Sequence, residues 1–131
     1  MFNRREFILS AAVATTAATL NAKAAVAGGH GRVGRFSGRS DHVTSGRAEV
    51  VKHGDTAEVV LLDDFAFDGA PDPKVALGKD GYDSSTILGV LKNNNGKQTY
   101  KVPAGINTDE MNEVWIWCEK FNVPLGVAKL N

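Results

Sequence analysis

The sequence predicts an all-β chain: an antiparallel β-sandwich or barrel of about eight short strands, preceded by a cleaved helical signal peptide. Three observations carry that expectation. Fourteen glycines against four prolines in 131 residues supply frequent turns. After residue 27 the apolar segments are short and bounded by Gly, Asn and Asp, with no repeat, heptad or long linker. Apolar residues make up 43% and charged residues 23%, an ordinary globular balance.

Residues 1–27 read as an export leader and residues 28–131 as one β domain. Arg4 and Arg5 form a positive start, and Ile8 to Leu20 a weakly apolar run rich in Ala and Thr. That run is well short of the roughly 20 residues that cross a bilayer, so no transmembrane anchor is expected in the mature form. Ala22-Lys23-Ala24 and Ala25-Val26-Ala27 both offer a small-x-small cleavage pattern, and cleavage is placed after Ala27. Asn3-Arg4-Arg5-Glu6-Phe7-Ile8-Leu9 resembles a twin-arginine signal, with Phe7 two positions beyond the arginine pair. A general secretory signal carrying two arginines is the alternative. The twin-arginine reading makes that translocase a partner and the periplasm or cell envelope the destination. Its cargo travels folded, often with a cofactor inserted, which hints at redox work.

The elements then follow in order. Val33 to Gly38 is a short strand after a glycine-rich arm, and Arg39-Ser40-Asp41 is a turn. Gly46 to His53 and Thr56 to Leu62 form a hairpin across Gly54-Asp55. Asp68 to Pro73 is a loop, since its prolines cannot donate to a ladder. Lys74 to Leu77 and Ile87 to Leu91 are short strands. Asn93-Asn94-Asn95-Gly96 suits a type I′ hairpin turn into Thr99 to Val102. Asn107 to Asn112 makes one helical turn capped by Asn107 or Thr108. Glu113 to Cys118 and Val123 to Ala128 complete the set.

Charge and cysteine usage exclude several function classes. Lys+Arg and Asp+Glu tie at 15, so no basic excess points to nucleic acid. Losing the leader leaves a slight acidic excess. A single cysteine excludes an internal disulfide, a four-cysteine metal or iron–sulfur site and a paired-thiol motif. The Cys-x-x-Cys-His of c-type haem is absent, and no His or Met follows Cys118 to complete a blue-copper loop. No glycine-rich phosphate loop runs from a strand into a helix. The serines lack a nucleophile elbow and the histidines an evident triad. Hydrolase and transferase chemistry are therefore disfavoured.

Several ordered stretches carry a family likeness across nearly the whole mature chain. Gly34-Arg35-Phe36-Ser37-Gly38 leads into His42-Val43-Thr44-Ser45-Gly46, then Leu62-Asp63-Asp64-Phe65 with Asp68-Gly69-Ala70-Pro71-Asp72. Leu88 to Gly96 runs on to Thr99-Tyr100-Lys101-Val102-Pro103, and Val114-Trp115-Ile116-Trp117-Cys118 precedes Phe121-Asn122-Val123 and Gly126-Val127-Ala128. Together they resemble the DM-thirteen domain, an electron-transfer module found beside DOMON domains in animal proteins and alone in bacteria. The resemblance implies an all-β fold and a redox role for Cys118, as a thiol or as a cofactor ligand. It also matches His42 to the family's histidine, as assistant or ligand.

The residues themselves leave two readings of Cys118. On a strand, Val114, Ile116 and Cys118 share one face and Trp115, Trp117 and Glu119 the other. Cys118 then either fills the core or lies at a strand end where a thiol reaches a partner; a nearby cation such as Lys120 would be needed to lower its pKa. His42 either ligates a metal or haem, stabilises a thiolate, or bonds a loop backbone. A non-covalent haem or a metal at Cys118, His42 or both stays open; the cofactor is unassigned. Asp63, Asp64, Asp68 and Asp72 suit calcium less well than solvated turns. Arg32, Arg35, Arg39 and Arg47 read as a solvated face, and His30 and His53 as solvated histidines. Trp115, Trp117, Tyr100, Phe36, Phe65 and Phe121 read as core and interface aromatics. The rival function is a cofactor-free envelope binding or structural module with Cys118 in the core. The partner is then a redox or envelope protein, or a second copy through a disulfide at the lone thiol.

Overall fold

The computed structural model describes residues 31–131, so Arg4, Arg5, Phe7, the cleavage expected after Ala27 and His30 lie outside the described residues. Ten strands follow in order: β1 (Gly31–Gly38), β2 (Thr44–Ser45), β3 (Arg47–His53), β4 (Thr56–Leu61), β5 (Ala66–Phe67), β6 (Pro73–Gly78), β7 (Gly89–Val90), β8 (Gln98–Val102), β9 (Glu113–Cys118) and β10 (Val123–Leu130). Eight of them form one antiparallel sheet in the order β7-β6-β9-β10-β1-β3-β4-β8, nearly closed into a barrel. These eight are the strands expected from the sequence. β2 and β5 form a separate two-stranded ladder, and two residues are too few to show an alternation.

Period-two patterning builds the interior. Val59 and Leu61 of β4, Val75 and Leu77 of β6, and Val114 and Ile116 of β9 point inward and are wholly buried. Phe36, Phe65 and Phe67 close one end, with Phe36 and Phe65 edge-to-face at 5.4 Å between ring centres. At that end Thr44 packs onto Gly126, where an added Cβ would come within 2.7 Å of the threonine side chain. The Thr44 hydroxyl donates to the Leu125 carbonyl at 2.9 Å, fixing β2 against β10.

The β3–β4 hairpin forms as expected, with His53 opposite Thr56 and Gly54 at φ 66°, the positive angle that a two-residue turn beginning on glycine needs. The expected helical turn is a single 3₁₀ turn, Thr108–Glu110, whose N-cap Asn107 accepts from the Asp109 amide.

The Asn-Gly segment departs from expectation. β7 and β8 are the two edges of the sheet and are not a hairpin. Gly96 has φ 93°, but Asn95 is not in the left-handed region that a type I′ turn demands. Tertiary partners take the loop's backbone groups instead: the Asn94 carbonyl accepts from Phe67 N, and Gly96 N donates to the Phe65 carbonyl. Side chains then bridge the two edges. The Tyr100 hydroxyl accepts from Lys92 N at 2.8 Å and donates to Gln98 Oε1 at 2.6 Å. Gln98 in turn bonds both backbone groups of Asn93.

Candidate functional site

Cys118 ends β9, opposite Pro73 of β6 and Val123 of β10. Its side chain continues the inward row of Val114 and Ile116 and joins the apolar cluster at 1% exposure. The strand stops there, because Glu119 N donates to the Asp72 carbonyl and the chain reverses through Asn122 at φ 55°. Lys120 therefore lies in the turn, with Nζ over the Phe121 ring at 5.5 Å, and does not share the inward face of Cys118. Phe121 is 58% exposed and belongs to neither core nor strand.

His42 follows two left-handed residues, Ser40 and Asp41, in the loop after β1. Its Nδ1 lies 2.8 Å from Asp68 Oδ1, and the other Asp68 oxygen accepts from Val43 N at 2.9 Å. The backbone bond from Val43 and the imidazole of His42 together hold the Asp68 carboxyl below its ordinary value of 3.8. The ring also leans on Phe67, 5.7 Å away. The antiparallel register puts the His42 loop and the Cys118 end of β9 at the same end of the barrel. No hydrogen bond joins the two residues among those described.

Asp64 of the acidic loop accepts from Arg47 N and Arg47 Nε, at 3.0 and 2.9 Å. Partial burial works against ionisation of Asp64, but these bonds outweigh it and lower its pKa. Asp72 faces Lys74 at 3.4 Å. Three of the four loop carboxylates thus have protein partners. Arg32 donates to the Thr108, Met111 and Asn131 carbonyls, so it and Arg47 tie segments together rather than forming a free basic face. His53 lies 3.7 Å from Glu58 on the surface. Among the described residues no three His, Cys, Asp or Glu side chains gather into a metal-binding set. A cavity of about 300 Å³ bounded by Gly54, Thr56, Val102 and Ile106 lies at the opposite end from Cys118.

On the outer face of β9 is an aromatic group that sequence reasoning only half found. Trp115 and Trp117 alternate outward, as their positions indicate, with ring centres 6.0 Å apart and edge-on. Tyr82 lies on Trp117 at 3.7 Å with the planes 6° apart. Tyr82 arrives because the loop after β6 folds back over the sheet. Gly78 makes that approach feasible, since a Cβ there would sit 2.1 Å from the Gly81 carbonyl oxygen. Glu113, 5% exposed, accepts from Gly81 N at 2.7 Å and from Trp115 Nε1 at 3.0 Å. That the two tryptophans share a face was legible; that this face is the outer one, and that Tyr82 returns to it, were not.

A search of curated proteins and a search of solved structures found no match. The model of the electron transfer DM13 family matches residues 35–130. That span runs from within β1 to the last residue of β10, and over it the chain belongs to the electron transfer DM13 family.

Proposed function

We propose that the chain is exported by the twin-arginine route and serves in the periplasm or cell envelope as an electron-transfer module whose redox residue is Cys118. The observation that carries the reading is the position of the chain's only thiol: inside the family-matched span, at a strand end, one residue before an exposed turn. The residues around it do not fit a metal or haem, because the sulfur is enclosed by hydrocarbon and belongs to no set of three His, Cys, Asp or Glu side chains among the described residues. A bare thiol is the form that fits. It becomes reactive when the Glu119–Asn122 turn opens, since solvation lets the thiolate form. His42 acts as a positioning residue, tying the loop after β1 to Asp68 at the same end of the barrel.

Thiol labelling of protein recovered from its exported location tests this. The native thiol is expected to react at a measurable rate in the absence of denaturant, set by local opening. A native thiol that reacts only after global unfolding overturns the reading. Such a result selects the second reading, which the 1% exposure of Cys118 favours: a binding or structural module in which this side chain is packing. A disulfide-linked homodimer would require the same opening. Arg4→Lys with Arg5→Lys is expected to stop export, and undiminished export of that double variant removes the twin-arginine assignment.

A further inference from the structure

We propose that the outer face of β9 is a one-electron relay. Trp117 and Trp115 deliver an electron to a high-potential acceptor that docks at Tyr82, and Glu113 takes up the indole proton of Trp115. This rests on the electron-transfer reading of the domain and adds a route to it.

The geometry divides the roles. Tyr82 and Trp117 are in face contact at 3.7 Å, and Trp115 meets Trp117 edge-on at 6.0 Å, so three π systems run in contact along the sheet surface. All three rings are partly exposed, which lets an acceptor approach. The two indole N–H groups have different partners. Trp117 Nε1 donates to Asn122 Oδ1 at 3.2 Å, and a neutral amide does not retain a proton. Trp115 Nε1 donates to the buried Glu113 carboxylate at 3.0 Å, which does. An electron removed at Trp117 is therefore replaced from Trp115, whose N–H proton crosses the existing hydrogen bond. The sum is one electron gained by the acceptor, a neutral indolyl radical at Trp115 and a protonated Glu113. An indole yields an electron only to a strong oxidant, so the acceptor is of the ferryl-haem class. Burial, with the nearby Glu119 charge, raises the Tyr82 pKa, so that ring stays a neutral phenol in the stack. The peptide bond from Trp117 to Cys118 places the inward thiol one residue from the relay.

Flash-quench oxidation of the mature protein by photogenerated tris(bipyridine)ruthenium(III), followed by transient absorption, tests the relay. In the unsubstituted protein an indole radical cation is expected first and a neutral indolyl radical after it. Trp117→Phe is expected to slow the appearance of the neutral radical at least tenfold. Glu113→Gln retains an oxygen for both hydrogen bonds and so keeps the fold, but is expected to leave the cation and slow its conversion at least tenfold. Neutral radical forming at the unsubstituted rate in either variant, or no protein radical at all, overturns the relay. Labelling of Cys118 reads the thiol separately, so a missing relay with a reactive thiol leaves the proposed function standing.

Discussion

Cys118 and Glu113 lie at opposite ends of one strand, and both are buried for different reasons. The thiol is enclosed by hydrocarbon, and the carboxylate is covered by the returning loop and satisfied by two donors. Cys118→Ser puts a hydroxyl where no polar partner waits, so an expected loss of about 1–3 kcal/mol follows. Cys118→Ala leaves a small void without a stranded polar group and is expected to cost less than the serine variant. Urea denaturation of both variants checks the order; a serine variant at least as stable as the alanine one refutes apolar enclosure. At Gly78 a side chain meets the Gly81 carbonyl, so Gly78→Ala is expected to displace the loop and separate Tyr82 from Trp117. The reporter is the circular-dichroism signal of the stacked rings, expected to be lost in this variant.

At the scale of elements, the weak point of the barrel is the seam between its two edge strands. Backbone ladders hold every other junction of the main sheet, whereas here the side chains of Tyr100, Gln98 and Lys92 do the joining. Burial raises the Tyr100 pKa, so the hydroxyl keeps the proton that it donates to Gln98. Tyr100→Phe leaves Lys92 N without its acceptor and is expected to cost about 1–3 kcal/mol. Amide hydrogen exchange at Lys92 is expected to accelerate before exchange in β9 or β10 changes. Uniform acceleration across the sheet would mean that the seam is not a separate unit. The same reasoning explains the failed Asn-Gly hairpin. Local propensity favours a tight turn, but Phe65, Phe67 and Gln98 offer that loop better-placed hydrogen bonds.

Over the whole molecule, the carboxylates that join loops set the response to acid. Asp68 and Asp64 have folded pKa values below the ordinary 3.8, through Val43 with His42 and through Arg47 respectively. A lowered folded value means that the unfolded chain binds protons first as pH falls. The stabilisation is thus complete above the unfolded pKa and is lost as pH falls below it through the lower folded one. Asp64→Asn and Asp68→Asn are each expected to flatten this acid limb in denaturation midpoints measured against pH; an unchanged slope in both refutes the assignment. How much of this was readable follows from the range of each interaction. Alternation along the chain gave the eight strands of the main sheet and put Cys118 on one face of its strand with Trp115 and Trp117 on the other, because those features depend only on residue order and a two-residue period. Family motifs spread from Gly34 to Ala128 gave its class. Which edges face each other, which arginine meets Asp64, how Tyr82 returns to Trp117 and how deeply Cys118 sits were decided by tertiary structure alone. Each joins residues that only closure of the sheet brings together, and no local pattern records the direction in which a sheet will curl.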